Sequence, residues 1–262
     1  MKVARDIMIE VPLLSEHDHL TKARQMLRDD VFREAYVRDD TKRLVGYIDI
    51  SDVLILTTTK SNVEVTAFMK DPAMVRPEDP LEKVAEEIRS RMTDSAAVVD
   101  DRGSVMGGVL LSEVFPILIA RHEFKGKVSD YMSEDVIICN AEDRVQKIYN
   151  LIVDSGFTAF PVLKDKELVG IISRRDVLNA GRVRKALTGN IHVKTEKEPA
   201  NTKVENLMNT PVITVTPDDS ISAAARLLVK HDISRVPVVR ERRVVGIMDR
   251  HDVLKGLILK SD

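Results

Sequence analysis

Apolar residues along this chain alternate between two periods, one suited to strands and one to helices, and the alternation is clearest in the last quarter. Val212-Ile213-Thr214-Val215 follows the turn Asn209-Thr210-Pro211 and is β-branched strand material. Thr216-Pro217-Asp218-Asp219-Ser220 supplies capping residues, after which Ile221, Ala224, Ala225, Leu227 and Leu228 recur at the spacing of one helical face. Ile233 to Val239 predicts a second strand, Arg240-Glu241-Arg242-Arg243 a polar turn, and Val244 to Met248 the returning arm of a hairpin. Asp249-Arg250-His251-Asp252 then opens a helix running through Val253, Leu254, Leu257 and Ile258. The predicted order is β-α-β-β-α in about 55 residues.

The same unit occurs four times. A methionine precedes an acidic residue by 44 positions in Met8/Asp52, Met69/Glu113, Met132/Asp176 and Met208/Asp252, and six residues before each acid stands Gly46, Gly107, Gly170 or Gly246. Successive copies are offset by 61, 63 and 76 residues, so the chain is a serial array of one supersecondary unit. A unit of this size buries too little surface alone and is expected to pack against a second. Copies one and two share a 12-residue step from Met to the first helical apolar residue (Leu20, Leu81) and a long hairpin. Copies three and four share a 13-residue step (Val145, Ile221) and a hairpin one residue shorter. This divides the chain into paired halves, 1–122 and 125–262, with repeats expected at 1–60, 61–122, 125–181 and 203–262. The charged stretch 182–202 reads as a linker.

Bulk composition then narrows the function. A net charge of −2 and a pI near 6.3 argue against a protein dominated by nucleic-acid binding. The basic run Arg182, Arg184, Lys185, Lys194, Lys197 and Lys203 is tempered by Glu196 and Glu198 and reads as a solvated linker. A single cysteine, Cys139, precludes an intrachain disulfide and suits a reducing compartment. Within Val136-Ile137-Ile138-Cys139 it reads as a buried strand residue. No apolar run approaches the roughly 20 residues of a membrane span and no signal-peptide pattern opens the chain, so a cytoplasmic protein is expected. The pair His17 and His19 flanking Asp18 lacks further ligands nearby in sequence and reads as solvated loop, while the repeat-opening methionines read as core plugs.

The segments Phe157 to Leu163 and Val169-Gly170-Ile171-Ile172-Ser173-Arg174-Arg175-Asp176-Val177-Leu178 resemble the cystathionine-β-synthase (CBS) domain. So do Ile233 to Val239 and Val245 to Leu254. Copy one matches through Val45 to Leu54, and copy two, with Gly107 to Phe115, is the most diverged. The resemblance implies an α+β fold: four β-α-β-β-α repeats paired into two pseudo-twofold (Bateman) modules in a disc-like assembly. Such modules commonly bind adenine nucleotides and report energy state, as in the γ subunit of AMP-activated protein kinase.

A nucleotide needs an apolar slot for its base, an acceptor for ribose hydroxyls and donors for phosphate. In copy three Asp176 offers the acceptor, Ser173 a hydroxyl beside a helix start, and Arg174 and Arg175 positive charge. The resemblance assigns the phosphate role to Ser173 and the ribose role to Asp176, with Thr158, Phe157 and Ile137 lining the same site. The plain alternative makes Ser173 and Asp176 capping residues only. Copy four keeps Asp252 but places Asp249 at the hydroxyl position, where a carboxylate repels phosphate unless a cation intervenes. Arg235 matches a family position that can reach phosphate, Ser234 beside it is a further ligand-binding candidate, Arg250 is close, and Thr216 and Ile233 match base contacts. Copy one repeats the acidic pattern with Asp49 and Asp52, has Arg33 or Glu34 on the preceding strand, and has Tyr36 in place of the usual proline. Copy two has Leu110 and Glu113, with Asp94 and Ser95 where a basic group would help, and reads as empty or structural.

The sequence reading is thus a non-catalytic sensor binding AMP, ADP or ATP, with Mg2+ accompanying ATP, and no resident cofactor or metal. It would signal to an unidentified protein partner, with a homodimer through the CBS modules as one assembly. The rivals are a module for S-adenosylmethionine, whose cationic sulfonium tolerates Asp49 or Asp249, a nucleic-acid module, and a scaffold whose pockets have decayed. No catalytic motif emerges.

Overall fold

Each copy is built on a hairpin whose two arms bring its glycine and its acid to fixed positions. The computed structural model describes residues 2–27, 32–54, 62–177 and 201–257. Copy one runs β1 (Leu13–Ser15), α1 (Leu20–Met26), β2 (Glu34–Arg38), β3 (Leu44–Asp49) and α2 (Ile50–Leu54). Copy two runs β4 (Met74–Val75), α3 (Leu81–Arg91), β5 (Ser95–Val99), β6 (Val105–Leu110) and α4 (Leu111–Arg121). Copy three has β7 (Cys139–Asn140), α5 (Val145–Ser155), β8 (Ala159–Lys164), β9 (Glu167–Ser173) and a helical turn at 174–177. Copy four has α6 (Ile221–Lys230), β10 (Arg235–Arg240), β11 (Arg243–Asp249) and α7 (Arg250–Lys255). The four first helices begin at Leu20, Leu81, Val145 and Ile221, where the apolar spacing places them. Residues 182–200 of the expected linker, with its basic residues up to Lys197, and the helical residues Leu178 and Ile258 lie outside the described residues.

Hairpin length follows turn chemistry. The short hairpins turn through Asp165-Lys166 (φ 51° and 70°) and Glu241-Arg242 (φ 49° and 66°). Two consecutive left-handed residues match the right-handed twist of the flanking strands. The longer hairpins carry one left-handed residue, Lys42 or Gly103. In copy one the Asp39 carboxylate also accepts from the Thr41 hydroxyl (2.7 Å) and the Arg43 N–H (2.9 Å). All four hairpins bulge at one place, after Val37, Val98, Val162 and Val238.

The first strand of each copy pairs parallel to the hairpin, and proline limits it. Tyr36 N–H donates to the Pro12 carbonyl (2.9 Å) and Ala97 N–H to the Ala73 carbonyl (2.8 Å). Pro161 and Pro237 hold the same register opposite Ile171 and Ile247, and a proline has no N–H to give. The strand expected at Val212–Val215 therefore shrinks to one bridge, Val215 to Val238. In copy three only Cys139–Asn140 pairs, while Ile138 is exposed. Cys139 is buried as expected, and burial pushes its thiol up to about 12.

The repeats interlock through their opening segments. Ile9, Lys70, Ser133 and Asn209, each following a methionine, bridge Gly108, Tyr47, Ile247 and Ile171 of another copy. Every bridge is a reciprocal pair of N–H···O bonds, for example Ile9 with Gly108 (2.9 Å both ways) and Asn209 with Ile171 (2.8 and 3.1 Å). The methionine thereby sits on its partner's glycine: Met8 on Gly107, Met69 on Gly46, Met132 on Gly246 and Met208 on Gly170. These methionines are half-buried lids over strand backbone, and not residues of the core. The exchange pairs copy one with copy two and copy three with copy four.

By compactness the chain forms two units. One comprises Met1–Gly126, Ile221–Asp232 and Arg250–Asp262, the other Lys127–Ser220 and Ile233–Asp249. The two helices of copy four thus group with the first half instead of the second. In that unit α6 packs on α4 and α7 on α3. The Arg250 guanidinium also lies over the Phe115 ring at 5.6 Å, and the Phe124 carbonyl accepts from Ser222 (2.9 Å).

A Cβ added at Gly107 would lie 2.8 Å from the Ile9 carbonyl oxygen, whereas one at Gly246 would lie 2.7 Å from the Met132 sulfur. Backbone cannot yield as a flexible side chain can. Gly107→Ala and Gly246→Ala should each destabilise by about 1–3 kcal/mol. In denaturant melts, Met132→Ala should recover part of the Gly246→Ala loss, while Met8→Ala should not rescue Gly107→Ala.

Candidate functional site

The end of each hairpin's second strand runs straight into a helix, so the hydroxyl-position residue and the acid three residues on share one helical turn. In copy three, Asp176 Oδ2 accepts from the Ser173 N–H (2.7 Å) and Ser173 hydroxyl (2.7 Å). The capping role expected as the plain alternative is therefore present. A further donor comes from copy four, the Asn209 side-chain amide at 3.0 Å. All three bonds converge on Oδ2, and Oδ1 accepts none among the described residues. Sequence reasoning missed Asn209, although its place directly after Met208 in every repeat alignment was the available signal. Thr158 joins this group through its carbonyl, which accepts from the Arg174 N–H (2.8 Å). Phe157 is 40% exposed and Ile137 half-buried. Of the two expected cations, Arg175 is exposed, but Arg174 is buried and does not stand open beside Ser173.

Copy one builds the same turn with different partners. Asp52 accepts from the Asp49 N–H (3.1 Å), and Asp49 itself caps through the Ser51 N–H (2.6 Å). Lys70, in the place equivalent to Asn209, contacts both Asp52 oxygens at 2.9 Å. Asp52 is buried, and its carboxyl is pushed up by desolvation against the opposing pull of Lys70.

Strand register settles the uncertain position in copy one, since Glu34 pairs with Asp49 as Arg235 does with Asp249 and Ser95 with Leu110. Glu34 is buried and accepts from the Asp94 N–H (2.7 Å) and the Ser95 hydroxyl of copy two. Tyr36, the proline replacement, is fully buried with its hydroxyl 2.6 Å from that of Ser95. Arg33 pairs with Asp94 at 3.2 Å, so copy one supplies the base that copy two lacks. Desolvation, reinforced by Asp94 and Asp49, raises the Glu34 carboxyl to about 8 against the opposing bonds from Ser95 and Asp94. In copy two, Leu110 is half-buried at the start of α4 and Glu113 is exposed.

The copy-four residues fall in both units. In one, Arg235 stands in register with Asp249, Ile233 and Ser234 are half-buried, and exposed Thr216 donates its N–H to Asp219 (2.7 Å). In the other, Asp252 is buried and paired with Lys255 at 2.6 Å. Arg250 belongs to that second setting, stacked on Phe115 and 3.3 Å from Asp232. His17 does meet carboxylates that sequence spacing hid, Asp40 at 3.4 Å and Glu16 at 4.0 Å, in an exposed ion-pair cluster.

A turn that carries an acid three residues after the end of the hairpin recurs in every copy, and comparison with known proteins names the family. The model of the CBS domain matches residues 4–56, 64–118, 128–182 and 204–259. The chain belongs to the CBS-domain family. MJ1225 of Methanocaldococcus jannaschii is 27% identical over 67% of this chain and 62% of its own length, and MJ1404 of the same organism is 29% identical over 90% and 57%. The chain thus spans about six-tenths of these curated relatives. The crystal structure of MJ1225, described as a candidate archaeal homologue of γ-AMPK, superposes with a TM-score of 0.72 at 22% identity. The match covers 94% of this chain and 96% of that one. A conserved protein from Pyrococcus horikoshii gives 0.65 at 22%, covering 97% and 99%. At that identity the superpositions establish the CBS fold alone. Among the described residues no helix is long and apolar enough to cross a membrane.

The folded chain keeps the Glu34 proton up to about pH 8, whereas an unfolded glutamic acid loses it near 4.5. The stabilisation from this proton is full below the unfolded value and is lost as pH rises through about 8. Thermal melts should show wild type losing stability between pH 5 and pH 8 relative to Glu34→Gln. Parallel curves for the two proteins would show that Glu34 does not hold the proton.

Proposed function

We propose that the chain is a non-catalytic regulatory protein that binds an adenine nucleotide at the third CBS repeat and signals occupancy to a protein partner. The observation that carries this reading is the state of the acid. Asp176 is half-buried and held by neutral donors through one oxygen, whereas Asp52 and Asp252 are buried and each paired with a lysine. A carboxylate oriented by neutral groups keeps its charge and a lone-pair face for the two ribose hydroxyls. Ser173 and the N–H groups of the turn that follows it suit phosphate. Phe157 and Ile137 supply apolar surface at the base end. AMP, ADP and ATP share these features, and Mg2+ would travel with ATP. Signalling requires that the ligand bind one arrangement of the repeats better than another.

A cationic adenosyl ligand such as S-adenosylmethionine is the second reading. It is favoured at copy four by Asp249, which occupies the hydroxyl position and would repel phosphate.

Calorimetry should give saturable binding of AMP, ADP or ATP at or below millimolar concentration. Asp176→Asn should weaken it about 10–100-fold, the worth of hydrogen bonds to a charged acceptor. Ser173→Ala should weaken the phosphorylated ligands more than adenosine. Absence of saturation by all three nucleotides removes the proposal, and competition with S-adenosylmethionine separates the second reading from the first.

A further inference from the structure

We propose that the residue following each repeat-opening methionine is the ligand-selectivity position of the partner repeat: Asn209 opens copy three to a ribose edge, and Lys70 closes copy one to it. The inference deepens the nucleotide-binding reading and rests on it. Two observations carry it. The first is positional. The main chains of Lys70 and Asn209 are locked in the same register by reciprocal hydrogen bonds, Lys70 with Tyr47 (2.9 and 3.0 Å) and Asn209 with Ile171 (2.8 and 3.1 Å). Their side chains are thereby delivered to equivalent acids. The second is chemical. The Asn209 amide reaches Asp176 at 3.0 Å on the oxygen already used by Ser173. The Lys70 ammonium engages both oxygens of Asp52 at 2.9 Å.

An amide and an ammonium do opposite things to a carboxylate that must accept from hydroxyl groups. The amide fixes its orientation without neutralising it. The ammonium neutralises it and occupies the lone pairs, and an uncharged diol does not displace a charge-assisted partner from a buried acid. The surroundings of Asp52 agree with a closed site. Glu34 and Arg33, beside Asp49 at the start of β2, are engaged with Ser95 and Asp94 of the partner repeat. The first pair of repeats is therefore a fixed platform at this position, and ligand response is assigned to copy three. Toward copy two the same place is held by Ile9, whose side chain has no polar group.

The test is an exchange of the two side chains in the full chain, with AMP and adenosine as probes. Adenosine carries the ribose edge without a phosphate for Asp49 to repel. Asn209→Lys should weaken AMP binding at least tenfold. Lys70→Asn should add one adenosine site per chain in calorimetric stoichiometry, and Lys70→Gln should do the same. Both positions are exposed and their bridges are made by main chain. Thermal midpoints near that of wild type would confirm folded variants. Unchanged or tighter AMP binding in Asn209→Lys, or no added adenosine site in either Lys70 variant, overturns the assignment. If Asp176→Asn still weakens AMP binding in that case, the nucleotide-binding reading survives. If wild type binds neither probe, that reading falls and this one with it.

Discussion

The seat of a methionine on a partner's glycine is the contact on which the paired repeats depend. A side chain at the glycine would collide with the methionine or with the carbonyl of the residue beyond it, so the strand and the incoming segment approach only because the Cβ is missing. That close approach permits the reciprocal main-chain bridge, and the bridge sets the register of everything that follows. Each opening segment begins beside the residue that precedes the partner's first helix, where Val3 meets Pro80, Glu64 meets His19, Lys127 meets Ser220 and Lys203 meets Arg144. Copies one and two, each too small to enclose a core comfortably, share one around Val11, Tyr36, Tyr47, Ala97 and Val99.

Within this shared frame the two pairs are differently wired. The first is joined through Glu34, Ser95, Tyr36, Arg33 and Asp94, a buried hydrogen-bonded group around a carboxyl that holds its proton. Buried polar groups of this kind are tolerated because each finds a partner, and they fix one arrangement over near alternatives. In the second pair the equivalent strand positions hold Ala159 and Arg235, and neither is a carboxylic acid that could take the place of Glu34. That second pair also holds Asp176, the acid oriented by neutral donors.

Much of this was legible in the residues. Helix starts at Leu20, Leu81, Val145 and Ile221, the shorter hairpins of the last two copies, and the pairing of copies follow from local periodicity and turn length. The strand at Val212–Val215 misled because β-branched composition says nothing about whether the neighbouring strand has an N–H to offer, and Pro237 does not. Arg174 and Arg250 read as phosphate-facing because they flank the acids in sequence. On a helix the neighbouring residue points elsewhere, and both are buried.

The sequence by itself determined the unit, its fourfold repetition, its family and the four acids, because these are matters of spacing within one copy. Only the tertiary structure decided what each acid faces. Lys70 and Asp52 are 18 residues apart and Asn209 and Asp176 are 33 apart, and neither pair shares a helix or a hairpin. They meet because a methionine finds a glycine on another copy, and that contact carries no local periodicity for a sequence to display.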